Sequence, residues 1–316
     1  HTFTEIGRDE NNKPHYDVKL KISSDCLRNA IFSMDFPFQN NTIMHSKRLL
    51  NRSIASVAGL LRGYMFEAVG FTGLKRKSPV IIVDAEQTCN SLSTIDLHST
   101  SGAKKKNYND DTAGTSFFYK ETIGSVEYGF YGAINLTELQ FISLSEVFDR
   151  MAVNPDEFED LYRPHLEKSI GEKVADPGYY LMKNAVNPLP EEGVLLTQAQ
   201  TIFLVKEFFK RLLSLNITRS ASAYASLSGL QVKYVRNPIT DKMDSEDGWI
   251  IIKEIDDIKI DHITTAYESI SDLAAKEMLN DIEDGMRQAR QVRKALAAQK
   301  ENGKKGEKNA RKSVGN

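Results

Sequence analysis

The sequence predicts an α+β domain of the ferredoxin-like kind, with large insertions between its regular elements. Strand-like and helix-like segments follow one another in the order strand, helix, strand, strands, helix, strands. Two long helical stretches, residues 46–65 and 197–215, each lie between groups of strand-like segments. RNA-recognition domains share this arrangement with many unrelated proteins, so the fold alone does not indicate a function.

The N-terminal part of the chain supplies a strand and a short helix. Residues 16–22 alternate apolar and polar side chains, which is the pattern of a half-buried strand. Asp25 precedes an apolar periodic stretch and is predicted to cap a short helix. No strand is evident before residue 16, and the chain begins at His1 rather than methionine. We therefore expect the first element of the fold to lie upstream.

The central part predicts strands interrupted by two insertions. Residues 78–84 form an apolar run typical of a buried strand, and residues 115–144 contain a series of strand-like segments. Between them, residues from about 85 to 115 are rich in Ser, Thr, Asn, Asp and Gly, which indicates a functional loop. Helical caps and periodicity around residues 155–170 predict a helix-rich insertion within about 150–196.

The C-terminal part predicts one amphipathic helix, two strands and a helical end. In residues 197–215, apolar side chains recur at helical spacing, and residues 229–236 and 248–254 resemble strands. Gly, Lys and Asn dominate the last residues, which predicts disorder. The predicted organisation is a core over 1–255, with a thumb loop at about 85–115 and a helical insertion at about 150–196, a C-terminal helical segment over 256–300, and a basic tail over 301–316.

Composition excludes several classes of protein. No run of about 18 apolar residues is present, so we expect no membrane-spanning helix and no membrane partner. Two cysteines, Cys26 and Cys89, are too few for a disulfide framework or a zinc site, and a cytoplasmic location is the expectation. No nucleophile elbow, phosphate loop or paired metal-binding histidines occur. We therefore expect no catalytic residue, no metal and no cofactor.

Positive charge is concentrated in two segments of an otherwise acidic chain. The net charge is -2, yet residues 42–80 hold seven Lys or Arg and one acid, Glu67. Residues 287–316 carry a net +8, which leaves about -10 for the rest of the chain. A local basic stripe on an acidic protein favours one specific anionic partner.

The stretch 46–65, taken as a single helix, gathers arginines on one face. On a helical wheel Arg48, Arg52 and Arg62 share an arc of about 80°, opposite the apolar face. No acid stands at helical spacing to pair with these arginines, which favours binding of a phosphate chain. Two other interpretations stay open, namely a solvated basic face and, with less support, a membrane-surface helix.

The basic stripe continues into segments that contain aromatic residues. "KRKS" at 75–78 precedes the apolar strand, and "TSFFYK" at 115–120 places aromatic side chains beside Lys120. Aromatic and basic side chains together suit single-stranded nucleic acid, on which bases stack. A buried strand explains the same aromatics equally well.

The ordered blocks "ISSDCLRNAIF", "IASVAGLLRGYM", "KRKSPVIIVDA", "TSFFYKETIGSVEYGFYGAINLTELQFISL" and "FDRMA" resemble the crRNA-binding backbone subunits of CRISPR effector complexes. The resemblance lies within the RAMP superfamily and is greatest to the Cas7-type subunit of the type I-F variant system. The related type IV subunit is the next most similar. The resemblance covers roughly residues 16–150 well and 197–255 loosely.

The resemblance implies a modified RNA-recognition fold with a protruding thumb, and a subunit that assembles in several copies into a helical filament along one guide RNA. The guide then pairs with target DNA beside other CRISPR subunits. The guide-RNA contacts implied by matching motifs are Arg28, Arg62, Gly63, Lys75, Arg76, Ser78, Ser116, Phe117, Phe118 and Lys120. The helical wheel adds Arg48 and Arg52, and the basic start of the same stretch adds Lys47.

In type III complexes, the equivalent subunit of the family cuts target RNA with a loop aspartate. Asp25 is the one acid near a comparable position, and a capping role explains it. The leading hypothesis is therefore a non-catalytic, self-assembling backbone subunit for guide RNA. The alternatives are a metal-dependent ribonuclease on the same scaffold and a structural or interaction protein that binds no RNA.

Overall fold

The computed structural model groups the chain into two compact units, each of which contains helices and strands. The first unit comprises His1–Ser33, Val80–Ala133 and Leu215–Ser226, and the second comprises Met34–Pro79, Ile134–Ser214 and Leu227–Asn316. The structure describes residues 2–8, 10, 12–19, 21–32, 46–66, 73–88, 94–100, 117–123, 126–145, 150–183, 185–186, 188–219, 223–233, 249–260, 263–285 and 287–288.

Most of the described elements are short. The strands are β1 Thr2–Arg8, β2 Pro14–Lys19, β3 Lys21–Ile22, β4 Tyr64–Phe66, β5 Leu74–Arg76, β6 Val80–Ile82, β7 Ala85–Gln87, β8 Thr94–Thr100, β9 Phe117–Ile123, β10 Tyr128–Gly129, β11 Gly132–Ile134, β12 Phe141–Ser143, β13 Gly178–Met182, β14 Glu191–Leu195, β15 Asn216–Arg219, β16 Ala223–Ser226, β17 Gln231–Val232, β18 Ile250–Ile251 and β19 Tyr267–Ile270. The helices are α1 Ser24–Phe32, α2 Lys47–Ile54, α3 Val57–Arg62, α4 Leu136–Gln140, α5 Pro155–Glu157, α6 Arg163–Ile170, α7 Gln198–Leu213 and α8 over 272–285, and a π-helical turn, Phe158–Tyr162, joins α5 to α6.

In the first unit, helix α1 packs on short sheets. Strands β10, β7 and β3 form one sheet in that order, while β1 with β2, β8 with β9 and β15 with β16 form antiparallel pairs. Leu27, Ile31 and Phe32 of α1 are buried where the helix contacts β6 and β15. The Asp84 carboxylate accepts a hydrogen bond from the Ser24 N–H at 2.8 Å, which lowers the pKa of Asp84 and anchors the start of α1.

In the second unit, a four-stranded antiparallel sheet and a group of helices form the core. The strand order of the sheet is β12, β14, β13, β19. Helices α3, α4 and α6 all contact α7, which buries Leu204, Val205 and Leu212 among them. Arg150 and Glu191 form an ion pair beside this sheet, and Arg150 Nε donates to Glu191 Oε1 at 2.9 Å.

The predicted α+β class and the second long helix are confirmed. Helix α7 occupies 198–213 of the predicted 197–215, because a reciprocal capping box fixes its start. The Thr197 side chain accepts from the Gln200 N–H at 3.2 Å, and the Gln200 side chain accepts from the Thr197 N–H at 2.9 Å.

Several predicted elements differ from the structure. A strand precedes residue 16 after all: β1 pairs with β2, and a register shift between Glu5 and Gly7 interrupts the alternation that would have revealed it. Residues 136–140, predicted as strand, form α4 because the Asn135 side chain accepts from two N–H groups of its first turn. Strand β8 lies within the predicted thumb loop, and β19 lies within the predicted helical end.

The helices of the predicted insertion lie where their caps and periodicity predict them. Within 150–196, the helices and the π-helical turn occupy 155–170, whereas β13 and β14 belong to the four-stranded sheet. Asp25, by contrast, does not cap α1: it lies in the first turn, and Ser23 Oγ accepts from the Cys26 N–H at 3.3 Å. The predicted tail over 301–316 lies outside the described residues.

Candidate nucleic-acid interface

The stretch 46–65 is two helices rather than one. Helix α2 ends at Ile54, and α3 begins at Val57 after Ser56, whose side chain accepts from the Gly59 N–H at 3.1 Å. A side chain on Gly59 would place a Cβ 2.6 Å from the Ile54 carbonyl oxygen, so only glycine allows this close approach. The predicted single arc of three arginines is therefore wrong for Arg62, which lies on the second helix.

Helix α2 keeps two arginines on its exposed face. Arg48 and Arg52 are exposed and are separated by one helical turn, whereas Leu50 and Ile54 are buried on the opposite side. The helix begins after Ser46, whose side chain accepts from the Leu49 N–H. The geometric argument for a basic face therefore holds for these two arginines.

Lys47 has an acidic partner that lies on another helix. Its Nζ lies 2.6 Å from Oε1 of Glu157, a buried carboxylate on α5. The Asn51 amide donates to Oε2 of the same carboxylate at 2.8 Å. Lys47 therefore compensates a buried charge.

Helix α6 adds a lysine and a histidine beside the exposed face of α2. Helices α2 and α6 pack together, and His165 and Lys168 lie one turn apart on α6. Burial lowers the pKa of His165, and the positive charges of Arg52, Arg48 and Lys168 lower it further. Sequence analysis missed His165 and Lys168, because the only local signal was the helical periodicity of an insertion more than 100 residues further along the chain.

Arg76, predicted as an RNA contact, is buried instead. Its side chain is 6% exposed, and Nε donates to the Leu60 carbonyl at 3.2 Å. Nη1 donates to the Phe141 carbonyl at 2.6 Å, and Nη2 donates to the carbonyls of Glu138 and Leu139. Its guanidinium joins α3, β5, α4 and β12, so Arg76 is removed from the candidate interface.

Gly63 and Ser78 are likewise explained by packing within the second unit. Gly63 has a φ of 69°, and a Cβ there would lie 2.5 Å from the Arg76 carbonyl oxygen and 2.6 Å from the Ser78 nitrogen. Ser78 Oγ donates to the Leu61 carbonyl at 3.4 Å. Arg62 is the half-buried last residue of α3, next to this close contact.

The remaining predicted residues are only partly described. Lys75 is half-buried in β5, and its N–H donates to the Met151 carbonyl at 2.7 Å. Arg28 lies on α1 of the first unit and donates to the Val80 carbonyl at 3.3 Å. Phe117, Phe118 and Lys120 lie on β9, opposite Thr100, Ser99 and Leu97 of β8, with their side chains outside the described part. Ser116 lies outside the described residues.

Neither a metal-binding cluster nor a membrane-spanning helix occurs in the described ranges. There, no group of three or more His, Cys, Asp or Glu side chains gathers in a way that would hold a metal ion. Among the same residues, no helix combines the length and the apolar character needed to cross a bilayer. The predictions of no metal, no cofactor and no catalytic residue are not tested by these observations.

Comparison with known proteins decides the family. The model of the family described as type I-Fv CRISPR-associated protein Cas7fv-like matches residues 5–247, which include both α2 and α6. The chain belongs to the Cas7fv-like family. It is therefore a Cas7-type backbone subunit of a CRISPR effector complex and has a part in defence. A comparison with curated proteins gives no match.

The Cas7fv-like match spans segments of both compact units. It includes every residue proposed from the sequence as an RNA contact, from Arg28 to Lys120. The match agrees with the type I-F variant resemblance drawn from the motif blocks. It assigns no role to any single residue.

Proposed function

We propose that this Cas7fv-like chain binds a guide RNA through its phosphate backbone and assembles in several copies along it. The match over residues 5–247 carries the proposal, because it makes the chain an effector-complex subunit. The exposed arginines of α2, Arg48 and Arg52, supply groups whose planar forks match phosphate oxygens. The bound guide would then pair with target DNA beside other CRISPR subunits.

Affinity is expected to come from phosphates rather than from bases. A guide carries a variable spacer, so a subunit repeated along it gains nothing from reading sequence. Phosphate contacts fix position without sequence information, and each contact makes binding more sensitive to salt. Two guides of unrelated spacer sequence should therefore bind with similar affinity and similar dependence on salt concentration.

The most direct test is purification of the full chain after expression with its guide array. We expect a discrete small RNA in the purified protein, seen as excess absorbance at 260 nm and as one band after extraction. A chain that purifies without RNA, and that binds no added guide, would instead support a structural or interaction protein.

The proposal also includes the absence of nuclease activity. Asp25 corresponds to the loop aspartate of the cutting subunits only by position, and it lies in the first turn of α1. Assembled complex incubated with complementary RNA and Mg²⁺ should leave that RNA intact. Cleavage that disappears in Asp25→Asn would overturn this part of the proposal and favour the metal-dependent ribonuclease.

The finer fold assignment belongs to the same proposal. We infer an RNA-recognition-like core from the family match, from the strand–helix–strand order of β3, α1 and β6, and from the packing of α1 on β6. An experimental structure of the assembled complex would test it, because the core strands should then form one continuous sheet.

A further inference from the structure

Four cationic or titratable side chains meet where α2 packs against α6. We call Arg48, Arg52, His165 and Lys168 the α2–α6 basic cluster. Arg48, Arg52 and Lys168 are exposed and His165 is half-buried, so the cluster faces solvent with the imidazole at its base. Each helix contributes a pair separated by one turn, which spaces the charged groups along both helices.

Several acids near the cluster are engaged elsewhere. Glu157 binds Lys47 and Asn51. Glu159 and Asp176 both pair with Arg163, at 2.8 Å and 3.0 Å, and Glu167 accepts from the Val174 N–H at 3.2 Å. The charges that lower the pKa of His165 are those of Arg52, Arg48 and Lys168, which are positive.

The chemistry of the cluster fits a phosphodiester. Two guanidinium groups can each donate paired hydrogen bonds to phosphate oxygens, and the Lys168 ammonium adds a point charge. A neutral imidazole at the base would gain a proton when an anion enters, because the anion cancels the surrounding positive potential. We propose that the α2–α6 basic cluster binds a nucleic-acid phosphodiester together with a proton that His165 takes up.

This inference rests on the proposed function for the nature of the ligand, and it adds the insertion helix α6 to the interface. It also predicts how the affinity for nucleic acid changes with pH. Without ligand, burial and the three cations hold the pKa of His165 below its ordinary value of about 6.5. A bound phosphate raises that pKa, so the complex holds more protons than the free protein. Affinity must then rise as pH falls from about 7.5 to about 5.5.

Other charged groups on the elements packed against α6 should not imitate this response. Arginine and lysine side chains are in general protonated throughout this pH window, and carboxylates in general ionise below it. The charged groups on these elements, besides the cluster and the Arg163 and Glu167 contacts, are Lys47 on α2, Glu159 and Asp160 of the π-helical turn, and Lys206, Glu207, Lys210 and Arg211 on α7.

The first test measures binding of labelled single-stranded RNA by fluorescence anisotropy across this pH window at fixed ionic strength. We expect wild-type affinity to rise about three- to tenfold per pH unit near the middle of the window. His165→Gln should bind like wild type at the alkaline end and lose most of the pH dependence. Lys276→Gln, a matched loss of charge on the exposed face of α8, should keep it.

The second test needs no RNA, so it separates failure of this inference from failure of the proposed function. The His165 ring signal, identified by its loss in His165→Gln, is titrated by NMR in inorganic phosphate and in sodium chloride of equal ionic strength. Phosphate should raise the pKa of His165 relative to chloride. An unchanged pKa, or RNA binding whose pH dependence survives in His165→Gln, overturns the inference even if RNA binding itself is confirmed.

The same titration with single-stranded DNA of identical sequence identifies the source of the phosphodiester. An equal pH response shows that the cluster recognises phosphate without reference to the 2′-hydroxyl. A response confined to one nucleic acid assigns the cluster to that strand of the complex. Thermal unfolding of each variant confirms that it is folded at both ends of the pH window.

Discussion

Arg76 and the arginines of α2 lie 24 to 28 residues apart in one basic stripe, yet the structure uses them in opposite ways. The guanidinium of Arg76 is buried and donates to four carbonyls of its own unit, whereas Arg48 and Arg52 are exposed. A buried guanidinium whose N–H groups donate to protein carbonyls stabilises the protein and has few donors available for a ligand. Basic residues in a sequence therefore divide into stabilising and binding groups only when burial is known.

The substitution Arg76→Met is the strongest test of the claim that Arg76 stabilises the protein. The change leaves four carbonyls without their donor, so we expect a loss of about 3–5 kcal/mol in the free energy of unfolding, measured by urea denaturation. Lys77→Met is the matched control, because Lys77 is exposed and its Nζ lies 3.7 Å from Glu138 Oε1, which is long for an ion pair. This control should lower the free energy of unfolding by less than about 0.5 kcal/mol. A fully stable Arg76→Met protein with weakened RNA binding would return Arg76 to the interface.

Gly63→Ala should have the next largest effect. Alanine must adopt a φ of 69° and must also place its Cβ 2.5 Å from the Arg76 carbonyl oxygen, so we expect a cost of about 2–3 kcal/mol. Gly171→Ala separates the two causes, because Gly171 also has a positive φ, 81°, but nothing lies within 4 Å of the position that its methyl group would take. Gly171→Ala should therefore cost about 1 kcal/mol. If both variants lose the same stability in thermal unfolding, the close contact at Gly63 does not contribute to the loss.

Lys47 tests the boundary between the two groups. It is half exposed like a binding residue but compensates the buried Glu157 carboxylate, so Lys47→Met should cost about 1–2 kcal/mol in unfolding experiments. Glu157→Gln in the same protein should recover about half of that loss, because no uncompensated charge remains. If the double variant is as unstable as the sum of the single variants, the two side chains are not coupled.

The exposed pair should change binding and leave stability alone. Arg48→Gln with Arg52→Gln removes up to two phosphate contacts, so the slope of log affinity against log salt concentration should fall by as much as about two units in filter binding. Thermal unfolding should move little, since both side chains are exposed. The control Lys276→Gln should leave the salt slope unchanged. An unchanged slope in the double variant would mean that the exposed face of α2 does not contact RNA phosphates.

Local signals accounted for most of what the sequence predicted correctly. Helix α7 was predictable because Thr197 and Gln200 form a capping box at the head of an apolar periodic run. The break between α2 and α3 also has local signals, Ser56 and Gly59, but a continuous apolar pattern concealed them. At this break, capping chemistry was therefore a better guide to the helix boundaries than periodicity.

Long-range partners were not predictable in the same way. Asn51 and Glu157 are 106 residues apart, and the approach of α6 to α2 spans a similar separation. One sequence gives no measure of which charged helix meets which, so the partner of Lys47 and the cluster around His165 appear only in the structure. The burial of Arg76 was unpredictable for the same reason, since its carbonyl partners come from α3, α4 and β12.

Arg62 gives the smallest expected effect and the most discriminating one. Matching motifs imply that it contacts the guide, but it no longer shares a helix with Arg48 and Arg52, and it is half-buried at the end of α3. If it contacts one phosphate, Arg62→Ala should lower the salt slope by about one unit, additively with the α2 variants. If it resembles Arg76 instead, the variant should lose stability in thermal unfolding while its salt slope stays at the wild-type value. Because the two outcomes differ in both measurements, this one substitution decides on which side of the comparison Arg62 belongs.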